Sequence, residues 1–145
     1  MDPAARAVLL VCMRWIHIAS VVTLVGGFIY ARFVLAPALA LLPASEREVV
    51  GSGVVKTFRP LLIIVLITAI GSGIYNFAAK TTSPPTYQIW FGIKMLLVLH
   101  IAASAILYAL RQSGETKRNR TALSIAISGL VVIAISAYLR HLSLP

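Results

Sequence analysis

Acidic side chains are nearly missing from this chain. Asp and Glu together number four in 145 residues, at positions 2, 46, 48 and 115. Charge of either sign is scarce, at 12% of residues, about half the fraction usual in a water-soluble domain. That scarcity excludes an ordinary soluble globular fold. Cysteine occurs once, at Cys12, so an internal disulfide is excluded. There is no strong internal repeat, no Met-x-x-Met motif and no run of clustered histidines.

What the chain has instead is apolar length. Hydrophobic residues make up 59% and the mean hydropathy is +0.92. Four apolar runs, at about 8–30, 60–77, 88–110 and 122–139, each approach the ~20 residues needed to cross a bilayer as a helix. Within lipid only helices and closed barrels satisfy every backbone polar group. The runs are continuous rather than alternating, so they are read as helices. The expected fold class is all-α: a four-transmembrane-helix bundle forming a single integral membrane domain over residues 1–145. Ala38-Leu39-Ala40 has the small-x-small form of a signal-peptide cleavage site. It lies too far along, after too long an apolar run, for a cleaved leader, and the first run is expected to be a retained helix.

The formal net charge of +9 is distributed as a membrane topology signal, and nucleic acid is not an expected partner. Arg32, Arg47, Lys56 and Arg59 lie between the first and second runs, and Arg111, Lys117, Arg118 and Arg120 between the third and fourth. The opposite side carries Arg6, Lys80 and Arg140. The excess of Lys and Arg places the first and third loops in the cytoplasm and both termini outside. The expected location is a bacterial inner membrane, with the lipid bilayer as the principal partner and assembly into a homo-oligomer or larger membrane complex open. Ser45-Glu46-Arg47-Glu48 has the S-x-x-E capping-box form. It predicts a short cytoplasmic amphipathic helix between helices 1 and 2. Pro60 is expected in the first turn of the second span, and Pro84 with Pro85 is expected to end it.

Four ionisable residues stand inside apolar runs. VLLVCMRWIHIASVVTLVGGFIY contains Arg14 and His17, and IKMLLVLHIAAS contains Lys94 and His100. The first and third helices run in the same direction, and at ~1.5 Å per residue the two histidines lie at similar depth. Such residues are costly in lipid and usually face the bundle interior or a cavity. A buried imidazole there is a metal ligand, a proton carrier or a packing residue bonded across the bundle. No carboxylate is available within the runs to balance the cations. Haem b would supply both an iron for the imidazoles and propionates for the cations. On this reading His17 and His100 are the iron ligands, in a bis-histidine site. Arg14, one turn outward from His17 on the same face, pairs with a propionate. Lys94, about 120° around its helix from His100, and Arg140 are further cofactor-binding candidates. Ala103, Ser104 and Gly71-Ser72-Gly73, like Gly26 and Gly27, would admit either a flat macrocycle or close helix packing. Tyr75, Asn76, Tyr87 and Trp90 gather at the outer edge as interfacial anchors, with Tyr75 or Asn76 bordering a quinone or porphyrin entrance.

The stretch RWIHIASVVTLVGGFIYARFVLAPAL resembles the first helix of the HemJ-type protoporphyrinogen oxidases and of the CopD copper-resistance domain, both of which have a W-x-H helix followed by apolar and small residues. IKMLLVLH resembles the HemJ helix that bears a lysine and, farther along, a histidine. The HemJ resemblance implies a membrane b-type haem protein with His17 and Lys94 as the matching residues. It implies a redox role, taking electrons from a quinol or porphyrinogen. The CopD resemblance implies copper transport or resistance, for which Cys12, Met13, His17, Met95 and His100 are the soft or borderline donors. A small structural subunit of a larger membrane complex is the third expectation.

Overall fold

The computed structural model describes residues 2–79, 85–110 and 114–141. Helix α1 spans Pro3–Tyr30 and passes through a π-helical turn, Ala31–Leu35, into the short α2, Ala36–Leu39. Together these form one 37-residue rod. The wide turn has a local cause: Pro37 has no N–H to offer the carbonyl of Phe33, and its ring would crowd that carbonyl in a regular α-helix. Helix α3 covers Ala44–Ala78, α4 covers Pro85–Leu110 and α5 covers Glu115–His141. All four long helices are long and apolar enough to cross a membrane, and the protein is an all-α four-helix bundle.

The apolar runs mark the middles of these helices, while their ends extend farther. The surface helix expected between the first two spans is not a separate element. Residues 44–59 are helical, but they continue without a break into the second span as α3. The capping box is likewise not formed. Pro43 occupies the N-cap position with no side-chain cap, and its carbonyl accepts the Glu46 and Arg47 N–H groups at 3.0 Å each. Pro60 therefore sits inside α3 rather than in its first turn. Pro85 opens α4, where its missing N–H is harmless. The turn at 80–84 and the position of Arg111 lie outside the described residues.

The bundle has a definite order. α1 packs on α3 and on α5, and α4 packs on α5 and on α3, so α1 and α4 lie across the diagonal. Phe28 of α1 is 1% exposed and meets Tyr108 of α4 edge-on at 5.2 Å between ring centres. Leu24, Leu62, Leu66, Ile101 and Ile125 complete the core around it. Alanines 102, 105 and 109 on α4 and 122 and 126 on α5 are buried, which lets these backbones approach closely. Gly129 of α5 serves the α1 contact: a Cβ there would lie 2.5 Å from a Val25 methyl.

Large apolar side chains cover the outside. Trp15, Ile67, Ile89, Leu96 and Leu99 are all more than 60% exposed. In water such a surface would be an aggregation patch; in lipid it is the solvated face. Several hydroxyls within the spans bond to their own helices: Ser20 donates to the Ile16 carbonyl at 2.8 Å, Thr68 to Ile64 at 2.7 Å and Ser136 to Val132 at 2.6 Å.

Candidate functional site

His17 is the ionisable group within the apolar runs that bonds to a neighbouring backbone. Its Nδ1 lies 2.9 Å from the Ala69 carbonyl and 3.1 Å from Ser72 Oγ, both on α3. A carbonyl only accepts, so Nδ1 carries a proton and donates it. Ser72 donates its own hydroxyl to the Thr68 carbonyl at 2.6 Å and has lone pairs left to accept from Nδ1. In the neutral ring this tautomer leaves Nε2 as a free lone pair, and among the described residues none hydrogen-bonds it. An imidazole locked through one nitrogen with the other left bare has the second-shell arrangement of a metal-ligating histidine.

Glycine makes the seat. A Cβ on Gly73 would stand 3.0 Å from His17 Cε1, so the ring edge approaches α3 where no side chain projects. One turn outward, Asn76 donates its amide to the Met13 carbonyl at 3.3 Å. That bond ties α1 to α3 just above the histidine.

Lys94 stands on α4, diagonal to α1. It is half-buried, with no hydrogen-bond or salt-bridge partner among the described residues. The site thus combines a bare imidazole nitrogen and an unpaired ammonium, with all four carboxylates of the chain outside the apolar runs.

The structure does not bring His17 and His100 together. The two imidazoles face different helices, His17 toward α3 and His100 toward α5. His100 is exposed and pairs through Nε2 with Ser124 Oγ of α5 at 3.1 Å. The reason is rotation: six residues of helix turn through about 600°, which leaves His100 some 120° from Lys94. With Lys94 half-buried, His100 turns to the α4–α5 seam. Arg14 is exposed at the bundle surface. Arg140 is exposed at the end of α5 and has a partner of its own.

The soft donors are dispersed. Cys12 is exposed, Met95 is 44% exposed, and Met13 is half-buried. Among the described residues no group of three or more His, Cys, Asp or Glu side chains converges.

No family model, curated protein or solved structure matches this chain.

Sequence reasoning found His17 and Lys94 through their rarity in apolar surroundings, but missed Ser72 as the partner of Nδ1. A hydroxyl flanked by two glycines, as Gly71-Ser72-Gly73, was the available signal. Ser124, the partner of His100, sits in an ordinary polar position of α5 and carries no such signal.

Proposed function

We propose that this is a redox protein of the membrane, carrying haem b in the half of the bundle nearest the chain termini, with His17 as an iron ligand. The observation that carries the reading is the His17 tautomer: Nδ1–H is committed to the Ala69 carbonyl at 2.9 Å and Nε2 is bare. Two further features support it. Lys94, half-buried on α4 with no hydrogen-bond or salt-bridge partner among the described residues, is suited to a propionate. The HemJ-type oxidases, which this sequence resembles, match at these two positions. Haem, when bound, supplies one-electron chemistry, tuned by its ligands and by the polarity around it.

The chain's own contribution is positional. Ala69 and Ser72 hold the imidazole ring, Gly73 lets it lie against α3, and the apolar helices exclude water. His100 would not hold the same group as His17, because it is exposed and pairs with Ser124 of α5. The reading therefore rests on His17 with Lys94, not on the histidine pair. For the copper reading, no group of three or more His, Cys, Asp or Glu side chains gathers among the described residues. By the bias of Lys and Arg, the loop-bearing end faces the cytoplasm and the termini face out, as in a bacterial inner membrane, which puts the site in the outer leaflet. A quinol or porphyrinogen is the electron donor this membrane setting favours.

The test is absorption spectroscopy of the detergent-purified protein, oxidised and reduced. Wild type should show a Soret band and sharp α and β bands on reduction. His17→Ala should lose them, and His100→Ala should keep them. Loss of the spectrum in His100→Ala but not in His17→Ala would refute this assignment of the ligand.

A further inference from the structure

The bundle has a second polar site, at the end opposite His17. A cavity of about 510 Å³ opens between α3, the end of α4 and the start of α5, lined among others by Lys56, Arg59, Lys117, Arg118, Glu48 and Tyr108. Four cations thus face one carboxylate. Glu48 accepts from Arg118 Nη1 at 3.3 Å, while Lys56, Arg59 and Lys117 have no salt-bridge partner among the described residues.

Two features show that these cations are built in rather than merely solvated. Arg118 is 8% exposed, and its guanidinium sits over Gly51, where a Cβ would collide with it. Its Nη2, and Nε of Arg59, are buried without a hydrogen-bond acceptor. Buried donors left unpaired are costly, more so when charged. An anion entering the cavity would meet four cationic side chains that the single Glu48 carboxylate leaves in excess.

The position indicates which anion. Arg59 immediately precedes the apolar run of α3, Leu107 and Tyr108 come just before the end of α4, and Lys117 and Arg118 precede the apolar run of α5. The cavity therefore lies at the boundary of the spans, the level of headgroup phosphates. Val49 and Leu107, 70% and 47% exposed, are apolar members of its lining. Guanidinium forks match phosphate oxygens geometrically, and basic pockets between spans hold anionic headgroups.

We propose that this cavity binds a phosphate group, held by Arg59 and Arg118 with Lys56 and Lys117 at its mouth. The source is an anionic phospholipid or a soluble phosphate ester. Native mass spectrometry of the full-length protein separates the two, using phosphatidylglycerol, phosphatidylcholine of the same acyl chains, and inorganic phosphate. Retention of phosphatidylglycerol but not phosphatidylcholine, undisturbed by millimolar phosphate, supports a lipid. Binding of inorganic phosphate, with no preference between the two lipids, supports a soluble ester. Arg59→Gln should weaken whichever binds about tenfold, the equivalent of one charge-assisted hydrogen bond. Lys56→Gln, at an exposed position, gives the same reading if Arg59→Gln does not fold. His17→Ala should bind phosphate like wild type, so failure of the haem reading leaves this one intact. No phosphate-dependent binding, or binding unchanged in both the Arg59 and Lys56 variants, would overturn the proposal.

Discussion

At the scale of single residues, the ring of His17 depends on two acceptors of unequal permanence. The Ala69 carbonyl belongs to the backbone and survives any substitution, whereas Ser72 Oγ does not. Ser72→Ala should leave the ring oriented but less constrained. Haem retention should fall roughly tenfold, the lower end of what second-shell changes cost a metal site, as measured by haem transfer to an acceptor protein. Lys94→Gln addresses charge rather than orientation. A fixed cation near the iron favours the reduced, less positive state, so removing it should lower the midpoint potential. With an effective dielectric near 20, the shift is on the order of tens of millivolts, read by potentiometric titration. Arg14→Gln should have a smaller effect, because Arg14 is exposed and near enough to the helix start to snorkel to headgroups. A larger shift for Arg14→Gln than for Lys94→Gln would reverse that ranking.

These residues show why part of the site was legible and part was not. His17, Lys94 and His100 stand out because ionisable groups are rare in apolar runs. Depth follows from counting residues along a helix. Direction does not, because a span that is apolar all round has no stripe to mark its inner face. His17 and His100 therefore read as partners by depth, while the packing of α4 turns them to different neighbours. The basic residues of the first and third loops read correctly as clustered at one end. That Arg118 is buried beneath Gly51 depends on α3 and α5 meeting there, a contact between residues far apart in the chain.

At the scale of elements, the helices were legible in their apolar middles and not at their polar ends. Residues 44–59 carry the mixed composition of a surface segment, yet they continue α3 because α5 offers Arg118 to Glu48 and Glu115 to Arg47, at 3.3 and 3.5 Å. Tertiary contact decided the outcome over the local capping signal. α1 approaches α5 closely at Gly129. Gly129→Ala adds a methyl 2.5 Å from Val25 Cγ2, so it should destabilise the bundle by about 1–3 kcal/mol, less the ~1 kcal/mol that alanine regains in helix propensity. Val25→Ala in the same chain should recover much of the loss, a non-additivity expected of side chains in contact. Thermal unfolding of the four variants in detergent measures it. Strict additivity would mean that the two helices do not meet at this point.

At the scale of the whole molecule, the bundle is polarised. One end gathers Lys56, Arg59, Lys117 and Arg118 around a cavity of about 510 Å³; the other half holds the His17 imidazole and the half-buried Lys94. If the basic end lies in the cytoplasm, a reporter fused to the C terminus is active only as a periplasmic enzyme. A C terminus active in the cytoplasm would move the His17 site to the inner leaflet. The claim on which the functional account depends is that the bundle holds haem at all, and a pyridine haemochrome assay on the purified protein tests it most directly. The account predicts haem b bound to wild type and lost in His17→Ala. A wild-type protein that carries no haem as isolated, and takes up none when offered haemin, would contradict it.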